Sequence, residues 1–463
     1  MPVVDVARTL TREAVGSLVV VDDDGAPIGI VTDRDLRQKL FAAGRDLSTT
    51  VAADIMSAPI VSLPPDAFGF EALLEMTRWR IRHIVVLEGG RVVGVVSSRD
   101  FLVLHTTHPV TLTREITRAP TVSALADIAA RSTQLVRRLV DEGGAAHDIG
   151  QIVAEVNDRI VLQILTLTAD ALTRQGVVAP PVAYCWIALG SEARREQTLR
   201  TDQDNALIYG DPTSELSADA ATYYARFAEE AVRGLIQVGF PRCPADSMAS
   251  NPRWCQPLSV WLRYVRTWIG APTLHVLDAS IYFDLRPLAG ARDLAETLVD
   301  TIHREAAAHR TFLAVLARDV VSRRVPLTLL RRRLAVRRRP PHAGEVDVKG
   351  AGSIQLVGAA RVHALEFGLT ETNTRARFEG AAERNPYSAA EVREITDAHD
   401  HLLRLRLAHQ LAQIERGAAP DNYVNPAHLS HADAVLFREA LFTVRRVQAG
   451  LRDRFQTDLL AGV

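Results

Sequence analysis

Two carboxylates, Asp202 and Asp204, stand two residues apart at the head of the apolar run ALIY. If that run is a strand, residues i and i+2 point to the same face, and the two carboxylates lie side by side. Like charges this close repel unless a cation lies between them. Magnesium suits the position, because it prefers oxygen ligands and bridges carboxylates to substrate phosphates. Upstream, Gly190 and Ser191 close a second apolar run, VAYCWIAL at 182–189. A Gly-Ser turn there offers backbone N–H groups and a hydroxyl on which a phosphate can rest. Arg194 and Arg195 follow in a polar Arg/Glu-rich stretch, where guanidinium groups can neutralise charge developing on phosphates. A phosphate cradle facing a metal-binding carboxylate pair is the minimum equipment for phosphoryl or nucleotidyl transfer.

These residues need a strand, a turn, a short polar helix and a second strand to hold them. The rest of the chain must supply the frame. Its 463 residues are enough for about three domains. Hydrophobic residues make up 47% and charged residues 24%, the balance of a soluble globular protein. The net charge of −1 exerts no general pull on nucleic acid or an anionic membrane, so neither is expected as a partner. Three cysteines, Cys185, Cys243 and Cys255, are too scattered for a disulfide framework or a zinc site. No apolar run reaches bilayer length and no signal-peptide pattern opens the chain, so a cytoplasmic protein is expected.

The N-terminal part contains a repeat. GIVTDRD at 29–35 recurs as GVVSSRD at 94–100, each after a short apolar strand and an amphipathic helix, at about 4–13 and 70–80. The repeated helix–strand–turn–strand–helix resembles a CBS pair, a module that binds adenine nucleotides between its repeats. By that resemblance Thr32 and Asp35, with Ser97 and Asp100, are the ribose and phosphate contacts, and the pair mediates homodimerisation. The second copy begins with a leading segment, VAADIMSAPIVSLPPDA, which the first copy lacks. Ligand sensing and dimerisation alone are both open for a pair truncated in this way.

The longer string GSEARREQTLRTDQDNALI resembles the signature of the DNA polymerase beta superfamily of nucleotidyltransferases. Within it, the string is most similar to the bacterial nucleotidyltransferases that accompany CBS domains and are related to PII-protein uridylyltransferases. The resemblance extends through GFPRCPADSMASNPRW, NTRARF and PDNYVNPAHLS to a helical substrate-binding domain. It implies an α/β plus α fold: a CBS pair at 1–108, a helical connector at 109–178, a mixed-sheet polymerase-beta-like core at 179–292 and a C-terminal helical bundle at 293–463. It implies an NTP as donor, a protein or small-molecule acceptor, and a third carboxylate on a later strand. Asp284, in ASIYFDLRPLAG, is the candidate for that third metal ligand, with Asp278 as the alternative. Lys349 is one of only two lysines, at a position where the family also has one, and is a candidate phosphate contact.

Other features carry less. The arginines at 331–333 and 337–339 form a basic cluster that suits either an acidic ligand or a solvated face. The pairs His147-Asp148 and His399-Asp400 lie in helical stretches without the further ligands a hydrolase centre needs. Ala193 stands where the related proteins have glycine, close to the phosphate cradle. This leaves a second function open, a catalytically silent sensor that binds adenine nucleotides through its CBS pair and acts through a partner.

Overall fold

The computed structural model describes residues 1–13, 15–67, 69–98, 109–199, 202–272, 278–327, 334–337, 339–384 and 386–460. Asp100, the side chain of Asp278 and the arginines 331–333 and 338 lie outside them. The chain divides into two compact units, Met1–Arg114 and Glu115–Val463.

The first unit holds the repeat. In its first half, helix α1 (Val3–Arg12) places Val3, Val6 and Leu10 on one face at the helical period, against Val31, Leu36, Leu40 and Ile55. Strands β1 (Ser17–Val21) and β2 (Pro27–Thr32) form an antiparallel pair. In the second half, β3 (Ser62–Leu63) runs parallel to β4 (His83–Glu88), which pairs antiparallel with β5 (Arg91–Ser97). Helix α2 (Gly69–Trp79) packs Ala72 and Met76 against Ile84. The segment present only in the second repeat supplies β3, so the first repeat has a two-stranded sheet and the second a three-stranded one.

Helix α3 (Pro109–Arg118) runs across the boundary in the chain, and α4 (Val122–Asp141) and α5 (Ala146–Arg174) follow in the second unit. Thr121 caps α4 by accepting from the Ala124 N–H, and Gly143, at φ +81°, separates α4 from α5. A four-stranded mixed sheet follows in the order β8-β7-β6-β9. Its strands are β6 (Tyr184–Leu189), β7 (Asn205–Tyr209), β8 (Cys255–Pro257) and β9 (Leu285–Gly290). The central strand β6 is antiparallel to both neighbours, whereas β7 and β8 are parallel. Both faces of β6 are covered: Cys185, Ile187 and Leu189 join the main core, and Trp186 and Ala188 are equally buried on the other side.

The rest is mostly helical: α6 (Gly190–Ala193), α7 (Ser217–Val238), α8 (Leu258–Gly270), α9 (Arg292–Ala308) and α10 (Arg310–Ser322), then α11 (Ile354–Phe367), α12 (Thr374–Ala382), α13 (Ala389–Glu415) and α14 (His431–Phe455), with one short antiparallel strand pair, Val346–Asp347 and Tyr423–Val424. The core is continuous from the sheet into this bundle, through Phe283, Phe312, Leu356, Phe378, Leu402 and Phe437. Among the described residues no helix is long and apolar enough to cross a membrane.

Candidate active site

The site lies where β6 ends. Gly190 adopts φ +55°, and a Cβ there would lie 2.9 Å from Ile281 Cγ1 and 3.2 Å from Asp204 Oδ2. Only glycine accepts both the conformation and the crowding. Its N–H donates to the Asp284 carbonyl at 3.0 Å, tying the turn to the start of β9. The strand β7 begins at Asn205, so Asp202 and Asp204 sit on its lead-in rather than within it. The ladder nevertheless continues through Asp204, whose carbonyl accepts from the Leu189 N–H at 2.9 Å. That bond sets Asp204 beside Gly190 at the mouth of the turn.

Gly190, Ser191, Arg194, Asp204 and Lys349 line one cleft of about 180 Å³. Its other wall comes from the bundle, with Leu316, Val320, Ile354, Val357 and Arg361. Burial pushes the Asp204 carboxyl up to about 6, opposed by a bond with the Cys243 thiol and by the charge of Lys349. Asp204 Oδ1 is buried without a hydrogen-bond partner. Asp202 is less enclosed, and burial raises it too, again against Lys349. A buried anionic oxygen with no donor is costly, and a divalent cation would satisfy it. Asp204 therefore fits magnesium, with substrate and water oxygens completing the shell; Asp202 feels the charge of Lys349 but does not line the cleft. Among the described residues no cluster of three or more His, Cys, Asp or Glu side chains forms a complete protein cage.

Lys349 enters from the far side. It opens a π-helical turn, Lys349–Ser353, that runs directly into α11. Such turns recur at functional sites because they displace a side chain from the regular helical ladder. Asp347 fixes the turn by accepting from the Gly350 N–H at 2.9 Å. Burial lowers the Lys349 ammonium, while the charges of Asp204 and Asp202 support it.

Asp284 has a different environment from the one its sequence suggested. It is fully buried, and its carboxylate is surrounded by arginines. Oδ1 accepts from Arg361 Nε at 3.0 Å and Arg377 Nη1 at 2.6 Å. Oδ2 accepts from Arg194 Nη1 and Arg361 Nη2, each at 2.6 Å. A carboxylate offers about four lone-pair positions, and all are taken. Burial alone would raise the group, but Arg361, Arg377 and Arg194 outweigh it and hold Asp284 far below the usual carboxylate range. The expectation of a third metal ligand is corrected here: Asp284 is an ionic joint between the sheet and the bundle.

Arg195 is also turned elsewhere. At φ +57° it bonds Glu155 at 3.0 Å and Asp158 at 2.9 Å, both on α5. Ala193 does not line the cleft; its carbonyl accepts from Thr372 Oγ1 at 2.8 Å. Sequence reasoning missed Arg361, which carries no local signal, and gave no role to Arg377, although it lies within the NTRARF string. It also missed Glu192, whose buried carboxyl is pushed up to about 8, first by desolvation and then by Asp158, so it stays protonated at neutral pH. Glu196 shows more of a pattern, since it pairs with Arg194 two residues earlier and accepts from the Thr374 N–H at the start of α12.

In the first unit, Thr32 and Asp35 are together but bonded to each other. Asp35 Oδ2 accepts from Thr32 N–H and Oγ1 at 2.9 and 2.6 Å, and Oδ1 contacts Ser57 Oγ at 2.9 Å and Lys39 Nζ at 2.8 Å. Ser97 ends β5 opposite His83.

The mixed sheet thus carries a Gly-Ser turn against Asp204, with the helical bundle as the opposite wall of the cleft. Residues 130–275 match the family described as "Putative nucleotidyltransferase DUF294", and residues 310–455 match "Putative nucleotidyltransferase substrate binding domain". Residues 1–42 and 51–107 match the CBS domain. The three matches together put a CBS pair, a nucleotidyltransferase-family domain and its substrate-binding domain on one chain. Among curated proteins it is similar to an uncharacterized protein of Methanopyrus kandleri, 34% identical over 100 residues, which are 21% of this chain and 51% of that one. It is also similar to the mitochondrial CBS domain-containing protein CBSX3 of Arabidopsis thaliana, 35% identical over 102 residues, 21% of this chain and 50% of that one. The chain thus spans about half the length of these two relatives. Among solved structures, a "putative signal-transduction protein with CBS domains" from Burkholderia ambifaria is 33% identical, covering 22% of this chain and 74% of that one at a TM-score of 0.21. A CBS domain protein from Pyrobaculum aerophilum complexed with AMP is 33% identical, covering 21% and 74% at a TM-score of 0.20.

Proposed function

We propose that the chain transfers a nucleoside monophosphate from an NTP to an acceptor nucleophile in a magnesium-dependent reaction. An acceptor oxygen or nitrogen forms a bond to the α-phosphorus, the bond from that phosphorus to the bridging oxygen breaks, and pyrophosphate leaves. The acceptor proton passes to solvent. The observation that carries the reading is the buried, unpartnered Asp204 Oδ1 beside the Gly190–Ser191 turn and opposite Lys349. Asp202 and Asp204 would hold magnesium, which when bound offsets charge on the phosphates. The N–H and hydroxyl of Ser191 orient the β- and γ-phosphates, the Gly190 N–H being held by the Asp284 carbonyl, and Lys349 and Arg194 neutralise them. The acceptor is a protein of the PII kind or a small molecule, by the family's kinship with uridylyltransferases.

The CBS pair supplies control. An adenine nucleotide bound there biases transfer, the pair joins two copies of the chain, and the protein works in the cytoplasm. Because Thr32 and Asp35 already bond each other, ligand entry at the first repeat exchanges those bonds for bonds to ribose hydroxyls.

The test is magnesium-dependent pyrophosphate release with each of the four NTPs, with cell lysate as acceptor source. Release with one NTP that is lost in the Asp202→Asn, Asp204→Asn double variant is the expected result. AMP binding with no release from any NTP would replace this reading with the silent sensor.

A further inference from the structure

The arginines around Asp284 do more than join two parts of the fold. Three guanidinium groups, from Arg194, Arg361 and Arg377, converge on one carboxylate. Glu196 offsets one of them through Arg194. Among these five groups one positive charge is in excess, where Arg194, Arg361 and Arg377 are largely shielded from water, and Asp204 is the next charge in the same cleft. Buried excess charge is expensive unless an anion completes it.

Two of the three arginines, Arg194 and Arg361, line the cleft with Ser191 and Lys349. Arg361 uses Nε and Nη2 on Asp284, while Arg194 uses Nη1 on Asp284 and Nε on Glu196. This leaves Arg361 Nη1 and Arg194 Nη2, for which no hydrogen bond is found among the described residues. Arg377 spends its Nε on the Glu371 carbonyl and stays behind the other two. The carboxylate therefore fixes the pitch of two guanidinium forks and leaves one amino group of each for another partner. Planar forks held in this way suit phosphate oxygens, which accept short charge-assisted bonds.

We propose that Arg361, on the helical substrate-binding domain, is a polyphosphate-binding residue, and that Asp284 is its positioning residue. The donor's phosphate chain lies between the Gly190–Ser191 turn and α11. Ser191 meets it from the sheet side; Arg194, Arg361 and Lys349 meet it as three separate cations. A chain of linked phosphates matches three spaced cations, where a single carboxylate matches one. The helical domain thus holds the donor as well as any acceptor. The inference deepens the nucleotidyl-transfer reading and rests on it for the donor's identity, but the anion site can be tested without turnover.

The probe is inorganic triphosphate with equimolar magnesium, titrated calorimetrically into the full-length protein. Arg361→Gln is expected to weaken binding by about ten- to a hundredfold, the range for losing bonds to a charged group. Arg361→Lys, which keeps the charge and loses the fork, should recover part of that loss. Asp284→Asn should weaken triphosphate binding and raise KM for the NTP more than it lowers kcat, a split that general destabilisation does not produce. Arg233→Gln, on the exposed face of α7, is the charge control and should bind as wild type. If Asp284→Asn does not fold, Arg361→Gln alone decides. No triphosphate binding by the wild type, or unchanged affinity in a folded Arg361→Gln, overturns the inference. Triphosphate binding that depends on Arg361 in a protein that releases no pyrophosphate upholds it and removes the transfer reading instead.

Discussion

Asp204 and Asp284 flank the same turn, and their environments are opposite. Asp284 is fully buried and accepts four hydrogen bonds from three arginines, which hold its carboxyl far below the usual range. Asp204 is only partly buried as a residue, yet its Oδ1 is buried without a partner and burial pushes the carboxyl up to about 6. A carboxylate whose lone pairs are all used is part of the frame. One left short of a donor is waiting for a cation, at a cost in stability. What separates the two is the inventory of partners.

The strongest way to break this comparison is to remove both carboxylates in turn. Asp284→Leu leaves three guanidinium groups facing one another and is expected to cost about 3–5 kcal/mol in urea unfolding. Loss below about 1 kcal/mol would mean that the arginines relax to other partners and the joint is not ionic. Asp204→Asn should do the reverse. It should cut pyrophosphate release by about a hundredfold or more, yet raise stability by about 1 kcal/mol, because a desolvated, unpartnered charge is gone. A destabilised Asp204→Asn would show that the carboxylate is structurally satisfied and so not poised for a metal.

Stability against pH sharpens the same contrast. The folded-state value of Asp204 lies above its ordinary 3.8, so the native state holds the proton more tightly than the unfolded chain does. Its contribution is most favourable below 3.8 and is lost as pH rises through about 6. Asp284 has the opposite sign: its stabilisation is present above its ordinary 3.8 and is lost as pH falls below that value. Between pH 4 and 6 the metal-free protein should therefore lose stability on account of Asp204, and Asp204→Asn should flatten that slope. Magnesium competes with the same proton, so its affinity should drop as pH falls below about 6. Calorimetric magnesium titration at pH 5 and 7.5 checks this; equal affinities would remove Asp204 from the metal site.

The smallest effect belongs to the first unit. Burial pushes the Asp35 carboxyl up, but bonds from Lys39, Thr32 and Ser57 bring it below the ordinary value. Asp35→Ala should lower the stability of that unit by about 1 kcal/mol, since it removes a helix cap and a pair with a half-exposed lysine. If AMP protects the wild type against thermal unfolding and not this variant, Asp35 contacts the nucleotide as well as the frame.

Much of the architecture was legible because it is written in local pattern. The spacing of Val3, Val6 and Leu10, the apolar run around Trp186, and the break at Gly143 each depend on neighbours in the chain, and each produced the expected element. The Gly-Ser turn was equally readable, because one tight turn fixes its geometry; the Asp pair, expected to open the strand, lies on its lead-in. Local pattern could not decide which acid faces a cation and which faces arginines. Asp284 meets Arg194 ninety residues earlier and Arg361 and Arg377 well after it. Arg195 sits beside Arg194 in the chain and yet points to α5, because a left-handed backbone turns it away. The sequence by itself determined the elements and the turn, since short-range sterics and periodicity suffice for those. Only the tertiary structure decided which charges are spent on one another, because a charge takes its role from whatever the fold brings within hydrogen-bond reach.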